Sequence, residues 1–371
     1  IRLKVWNEPG KYAEFPADQS GPEGYNNPAH VVAMAKRAQA AGLQVMIDFH
    51  YSDWWADPGK QTLPLAWRNL DAAAVSEKLY AFTHQVMQQL KEAGVTPAEV
   101  QVGNEISNGM LWPLGRVPEW DNLARFIQAG ARAVKAVSPQ SQVVLHLDAG
   151  GDNARCQRWF DAMLARGVTF DVIGLSFYPC WHGALPTLAA NLNQLAARYA
   201  CPLLVVETAY PRMLDPQRNV QWLLQHTGAE PYPATPDGQA QFLRALGQVL
   251  RDVPHGRGQG VFYWEPALLP LPDGSRGVWQ NATLFADGMT TIASATAWAP
   301  LGIVPWFREA ARLPAEDAVD LELPHAARDG QIVIAVPMLS RIANFDDFDP
   351  LAAEPDVRLS FIPPGQPLPG D

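Results

Sequence analysis

The stretch VQVGNEISNGMLWP (residues 100–113) begins as an apolar strand and then presents an Asn–Glu pair between two glycines. A short, nearly continuous apolar run is typical of a parallel strand that is covered on both faces. In α/β barrels the functional side chains follow the carboxyl ends of such strands. This stretch therefore predicts a barrel strand whose end carries chemistry.

The same pattern recurs along the first 265 residues or so, where apolar strands alternate with amphipathic helices. This regular β–α alternation predicts a (β/α)8 TIM barrel of the α/β class, and no GxGxxG follows the first strand to indicate a dinucleotide fold. Seven strands are recognisable, so we expect the first β/α unit to lie upstream of Ile1. The predicted strands are residues 1–6, 44–53, 99–105, 142–148, 170–178, 202–210 and 260–266, and the helices are 30–41, 72–93, 121–137, 153–166, 186–199 and 237–251.

Composition excludes several functions. The net charge of −10 argues against a nucleic-acid partner, and no apolar run approaches the roughly 18–20 residues that span a bilayer. Thirteen tryptophans indicate a groove that stacks flat ligands such as sugars, with about half of them expected in the core. Three cysteines without CxxC spacing predict small buried hydrophobes, although one incidental disulfide stays open: Cys156, Cys180 and Cys201.

Nearly every predicted strand ends in a polar or aromatic side chain, which favours an active face over simple turns. Glu105 and Glu207 follow the third and sixth visible strands, which would be the fourth and seventh of a complete barrel and would face each other across its opening. Retaining glycosidases place two carboxyl groups about 5–5.5 Å apart. The plainer alternative is that either glutamate only pairs with a nearby arginine such as Arg2.

The other strand ends suggest supporting roles. Asn104 is expected to bond a sugar 2-hydroxyl, and Trp264 to form the floor beneath the reacting sugar. Tyr178 and Arg2 are expected to favour the ionised form of Glu207. Glu105, as acid/base, needs a raised pKa, and the negative charge of Glu207 would supply it.

Eight stretches around the strand ends form one pattern: RLKVWNEP (2–9), MIDFHYSDWWADPGKQ (46–61), VQVGNEISNGMLWPLG (100–115), HLDAGGDN (146–153), DVIGLSFYP (171–179), VVETAYP (205–211), GVFYWEPA (260–267) and WQNATLF (279–285). This pattern resembles that of endo-β-1,4-galactanases, glycoside hydrolase family 53, within the clan of retaining barrel glycosidases. The resemblance implies hydrolysis of β-1,4-galactan with Glu105 as acid/base and Glu207 as nucleophile, in a secreted or periplasmic protein. It also places seven residues along the cleft: His50, Asp53, Trp55, Asp57, Trp112, His146 and Asp148. We further expect a monomer that needs no cofactor.

One region departs from the family pattern. Some bacterial members carry an acidic calcium-binding loop after strand seven, whereas QHTGAEPYPATPDGQ (225–239) has no such carboxylate cluster. The histidines are scattered and lack HExxH spacing. We therefore expect neither calcium nor another metal.

Residues 296–371 differ in character from the barrel predicted for residues 1–295. Strand-like IVIAVP (332–337) and VRLSFI (357–362) flank SRIANFDDFDPL (340–351), and this tail resembles a fragment of cobyric acid synthase where its linker enters the amidotransferase domain. The phosphate-binding GxxxxGK[ST] loop is missing. Two alternatives to a galactanase stay open: a cobalamin-pathway glutamine amidotransferase fusion fragment, and a galactan-binding barrel with impaired catalysis.

Overall fold

A computed structural model describes residues 1–11, 25–215, 222–267 and 277–285, and the backbone of 332–337 and 357–362. The chain divides into two compact units. The first comprises residues 1–287 and 291–306, and the second comprises residues 288–290 and 307–371.

The first unit is built on a curled, seven-stranded parallel sheet in the order β1-β2-β3-β6-β7-β8-β9. Apart from β4 and β5, which form a separate antiparallel hairpin, each strand pairs in parallel with the next one along the chain. The strands are β1 (Arg2–Val5), β2 (Met46–Phe49), β3 (Glu99–Val102), β4 (Gly109–Met110), β5 (Gly115–Arg116), β6 (Gln142–Leu147), β7 (Val172–Ser176), β8 (Leu203–Thr208) and β9 (Gly258–Tyr263).

Helices connect successive strands of the sheet. Several begin at the residue types that satisfy free backbone N–H groups: Asn27, Asp71, Asp152 and Thr235 each accept a hydrogen bond from the first turn. The helices are α1 (Pro28–Ala40), α2 (Ala72–Glu92), α3 (Trp120–Val137), α4 (Asn153–Leu164), α5 (Pro179–His182), α6 (Leu185–Tyr199) and α7 (Pro236–Arg251).

Two apolar layers hold the sheet in place. The larger one fills the space between strands and helices, with residues such as Ile47, Leu79 and Phe126 fully buried. The smaller one lies on the other face of the strands. Its members are Met46, Val144, Val172, Leu204, Val206 and the half-buried Phe262. Since side chains alternate along a strand, Asp48 and His146 point the same way as Met46 and Val144.

All seven predicted strands and six predicted helices are confirmed, but the ends of elements differ. Strand β3 stops at Val102, because Gly103 (φ 89°) and Glu105 (φ 49°) adopt positive φ angles that no strand accommodates. The short helix α5 and the β4–β5 hairpin were not predicted. No pairing joins β1 to β9 within the described residues, so these two strands are the edges of the sheet.

Several smaller expectations are also settled. All three cysteines are free; Cys156 is buried as predicted, whereas Cys180 and Cys201 are only half-buried. No helix in the described ranges is long and apolar enough to cross a bilayer. In the second unit, both predicted strands exist as β10 (Ile332–Pro337) and β11 (Val357–Ile362), which pair in parallel. The segment 340–351 lies outside the described residues.

Candidate active site

Glu105 and Glu207 lie at the carboxyl ends of two strands, β3 and β8, which are separated in the sheet by β6 and β7. Glu207 is in β8, where Ser176 of β7 is its register partner, and the Ser176 hydroxyl reaches Glu105. Glu105 has a left-handed backbone (φ 49°, ψ 51°), a conformation that side chains other than glycine rarely adopt and that clusters at functional sites. Because of this turn, the Glu105 side chain lies at the same edge of the sheet as Glu207.

Glu207 is 5% exposed and held by two donors. Arg2 Nη1 donates to Oε1 at 2.8 Å, and the Tyr178 hydroxyl donates to Oε2 at 3.0 Å. Burial, followed by the charge of Glu207, raises the pKa of Tyr178 well above its ordinary value, so this phenol stays a neutral donor. The sequence-based expectation that Arg2 and Tyr178 contact Glu207 is therefore met.

The surroundings of Glu105 have the opposite effect. Removal from water raises the pKa of Glu105 well above its ordinary value, and the charges of Glu207 and Asp148 raise it further. The Ser176 hydroxyl, 2.6 Å from Oε1, and the charge of Arg2 act in the other direction. The raised pKa is confirmed, but its largest cause is burial, with the charge of Glu207 second.

A polar network beneath the two glutamates was missed from the sequence. Arg2 also contacts Asp48 (2.9 Å) and Gln101 (3.2 Å), and Gln101 donates to Asp48 in turn. Asp48 and Gln101 are fully buried. The signal was available, since Asp48 is the lone polar residue of the apolar strand MIDF and Gln101 lies between two valines in EVQV.

Asn104 is fixed in orientation beside this network. Its Oδ1 accepts from Arg2 Nη2 at 2.7 Å, and its Nδ2 donates to the Ala56 carbonyl at 2.8 Å. An amide nitrogen carries two N–H groups, so the second one is available for a ligand.

Aromatic rings continue from the glutamates as a row of edge-to-face and tilted contacts. Trp264 lies 5.8 Å from Trp55 and 6.4 Å from Trp279, and Trp279 lies 5.4 Å from Tyr178 and 6.0 Å from Trp181. Trp181 is 50% exposed. We call these five rings the aromatic row. Trp279 and Trp181 were not predicted as site residues, although both lie in stretches rich in aromatic residues.

The arrangement matches known proteins. Residues 1–297 match the sequence signature of glycosyl hydrolase family 53. The chain belongs to this family. It is 36% identical to an arabinogalactan endo-β-1,4-galactanase of Thermothelomyces thermophilus over 72% of this chain and 78% of that protein, and 41% identical to an uncharacterized protein in the bgaB 5′ region of Niallia circulans over 77% and 78%. The solved GH53 catalytic domain of Ignisphaera aggregans superposes with a TM-score of 0.74 at 35% identity, covering 81% of this chain and 84% of that one.

Family membership and this superposition confirm the prediction of a TIM-barrel glycoside hydrolase. The residues that hold Glu105 and Glu207 in this family member come from β1, β2, β3, β6 and β7. Separate strands therefore assemble one site at one edge of the sheet.

Three residues expected along the cleft lie beneath its surface. His50, Asp53 and His146 are at most 2% exposed. Asp53 accepts backbone N–H bonds from Glu8 (2.9 Å) and Leu65 (2.7 Å), so it anchors two loops. His50 Nε2 lies 3.1 Å from Asp48, and its Nδ1 accepts from the Ala56 N–H. His146 contacts Ser176 and the backbone N–H of Glu105.

The remaining predicted residues are more accessible. Asp57 is exposed in a turn, and Trp112 is partly exposed with the Arg116 guanidinium 4.4 Å from its ring centre. The Lys4 ammonium lies 4.1 Å from the centre of Trp55, which removes one face of that ring from stacking. Asp148 Oδ1 and Trp264 Nε1 are buried polar atoms without a hydrogen-bond partner among the described residues.

No group of three or more His, Cys, Asp or Glu side chains in the described part of the chain is arranged to hold a metal ion. The expectation that the protein binds no calcium and no other metal stays a prediction.

Proposed function

We propose that this protein is a retaining endo-β-1,4-galactanase that cleaves the β-1,4-galactosidic bonds of galactan and type I arabinogalactan, which are side chains of pectin. The observation that carries the proposal is the contrast between two neighbouring carboxyl groups. Glu207 is held by a guanidinium and a hydroxyl, whereas burial and nearby negative charge raise the pKa of Glu105. A carboxylate beside a carboxylic acid is the pair that double displacement needs.

In the first step, a Glu207 oxygen attacks the anomeric carbon while Glu105 gives its proton to the glycosidic oxygen. The bond to the leaving sugar breaks, and the rest of the chain stays on Glu207 as a glycosyl ester. Arg2 and Tyr178 hold the attacking carboxylate in place. We expect the second N–H of the Asn104 amide to donate to the sugar 2-hydroxyl.

In the second step, the ionised Glu105 takes a proton from water, and the resulting oxygen nucleophile attacks the anomeric carbon from the opposite side to Glu207. The ester bond breaks, Glu207 returns as a carboxylate and Glu105 is again protonated. Two inversions at one carbon retain the β configuration.

The substrate is inferred from relatives and from the shape of the site. The relatives from Thermothelomyces thermophilus and Bacillus subtilis carry the names arabinogalactan endo-β-1,4-galactanase and endo-β-1,4-galactanase, at 36% and 34% identity. A row of aromatic rings offers flat surfaces along which a chain of sugars can lie. We infer from the family that the protein acts outside the cytoplasm, in secreted or periplasmic form, and the expectation that it is a monomer stays a prediction.

The test is hydrolysis of β-1,4-galactan by the 371-residue chain and its Glu105→Gln and Glu207→Gln variants. Each variant should lose at least about three orders of magnitude in kcat, because the amide can neither ionise nor transfer the proton. Circular dichroism should show that both stay folded. NMR of the first product should show a β anomer before mutarotation.

Other outcomes would overturn parts of the proposal. Sugar released from arabinan or cellulose but not from galactan would refute the substrate, and an α anomer would refute retention. Galactan binding without turnover by the wild type would favour the binding barrel with impaired catalysis. The resemblance of residues 296–371 to cobyric acid synthase, and with it an amidotransferase fragment, stays a prediction that the described residues do not test.

A further inference from the structure

Ser176 and His146 form a chain of polar contacts that ends on the candidate acid. His146 Nε2 lies 2.8 Å from Ser176 Oγ, and Ser176 Oγ lies 2.6 Å from Glu105 Oε1. Ser176 and His146 have no measurable exposure. His146 lies on β6 and Ser176 on β7, so these two buried residues approach the Glu105 carboxyl group from inside the protein.

The direction of these bonds follows from the other ring nitrogen. His146 Nδ1 faces the backbone N–H of Glu105 at 3.3 Å and Nε2 of Gln101 at 3.1 Å. A backbone N–H can only donate, and the Gln101 amide is oriented by Arg2 Nε, which donates to its Oε1. Asn104 Oδ1 is also 3.0 Å from Nδ1 but already accepts from Arg2.

Nδ1 is therefore the acceptor, and the proton of the neutral imidazole lies on Nε2. Burial, the largest cause, lowers the pKa of His146 well below its ordinary value, which keeps the ring neutral. Nε2–H donates to Ser176 Oγ. Because Oγ accepts this bond, its own hydrogen is directed to Glu105 Oε1.

We propose that Ser176, oriented by His146, is a positioning residue that reserves Oε1 of Glu105 as an acceptor, so that the catalytic proton is carried on Oε2. This inference rests on the proposed function, since it concerns the acid/base of that reaction. Glu105 is held at two points by His146, through its backbone N–H and through Ser176. Its carboxyl group thus presents one defined oxygen to the leaving group.

A positioning role predicts a shift in pH dependence. The groups whose charges reach Glu105 are Glu207, Asp148 and Arg2, with Tyr178 and His146 neutral beside it. None of them is changed when Ser176 is replaced. A donor to Oε1 stabilises the ionised carboxylate more than the acid, so its loss raises the pKa of Glu105.

The experiment is the pH profile of kcat/KM on β-1,4-galactan for the full chain and three variants. Ser176→Ala should move the basic limb upward by about one pH unit and lower kcat about tenfold, with KM within about twofold. Ser176→Thr, which keeps the hydroxyl, should restore the limb. Ser141→Ala is the matched control, because Ser141 is equally buried and donates to the Pro97 carbonyl at the other end of the strands.

Each result has one meaning. A downward shift in Ser176→Ala would show that Ser176 accepts a proton from Glu105 instead, and an unchanged limb would show that it has a packing role; both overturn the inference. A wild type without activity on galactan would overturn the proposed function itself. If Ser176→Ala and Ser141→Ala have equal thermal midpoints, a shift of the basic limb seen only in Ser176→Ala is not caused by lost stability.

Discussion

Glu105 and Glu207 are the same residue type at the same edge of one sheet, yet their surroundings differ. Glu207 meets Arg2 and Tyr178, a cation and a hydroxyl donor. Glu105 meets one neutral hydroxyl and lies in the field of two further carboxylates. The comparison shows that residues from other strands, rather than the glutamates themselves, give each carboxyl group its surroundings.

Topology explains the asymmetry. Glu207 is reached by Arg2 from β1 and by Tyr178, which directly follows β7, whereas Glu105 is reached by Ser176 at the end of β7. In a parallel barrel the carboxyl ends of all strands lie on one side, so Arg2 can pair with Glu207 and Asp48 while Glu105 has a hydroxyl donor instead.

Replacing Arg2 tests the largest difference between the two glutamates, which is the ion pair that Glu207 makes and Glu105 does not. Arg2→Met should lower kcat/KM about 10²–10³-fold, because a positive charge aimed at the nucleophile is lost. It should also lower stability by about 3–5 kcal/mol, since Asp48 and Glu207 stay buried without their cation. Galactan kinetics and urea unfolding measure the two effects.

Arg198→Met is the matched control for the loss of an arginine. Arg198 is surface-exposed near the end of α6, and its ion pair is with Asp161 at 2.7 Å rather than with either glutamate. Activity should be unchanged. Equal behaviour of Arg2→Met and Arg198→Met would contradict the special role of Arg2.

Tyr178→Phe removes the second donor to Glu207, the Tyr178 hydroxyl, and should have a smaller effect than the loss of Arg2. The ring stays packed, but Glu207 Oε2 loses a hydroxyl donor, so kcat should fall about 10- to 100-fold. Tyr51→Phe is the control, since the Tyr51 hydroxyl bonds Thr83 in the core between sheet and helices. Stopped assays on galactan should separate the two variants, and a full-rate Tyr178→Phe would show that the hydroxyl is dispensable.

The smallest expected effect is on stability and concerns Glu105. Its pKa is raised in the folded protein, so its contribution to stability is fully present below the unfolded pKa, ordinarily about 4.3, and is lost as pH rises through the folded pKa. Glu105→Gln carries no charge and avoids this loss. Its thermal midpoint should exceed that of the wild type by roughly 2–4 °C at neutral pH.

The difference should vanish at about pH 3, where the wild-type carboxyl is protonated in both states. Glu77→Gln, a change at an exposed surface position, should show no such pH-dependent gain. A Glu105→Gln variant that is equally stabilised at both pH values would show that the gain has another cause.

Much of the first unit was predictable from local pattern. The strands and helices were located because apolar runs and helical periodicity indicate which faces of each element are buried against the core. Glu105 and Glu207 were recognised because a carboxyl group ending an apolar strand has no local reason to be there. The raised pKa of Glu105 was also predicted, though through Glu207 rather than through burial.

The supporting residues were harder to predict because their partners are distant in the chain. Ser176 contacts a residue 71 positions earlier, and Gln101 contacts Asp48 at a separation of 53. His146 and Asp53 were expected on the cleft surface, but both are buried and hold other groups in place. A local pattern reports that a residue is polar, but not what it meets.

The sequence by itself determined the β–α order, the family, and the two glutamates at strand ends. Residue types and their spacing are enough to indicate each of these. Only the tertiary structure decided which glutamate meets Arg2, which meets Ser176, and which way the His146 ring is protonated. The physical reason is that protonation depends on burial and on charges a few ångströms away, and strands far apart in the chain supply them.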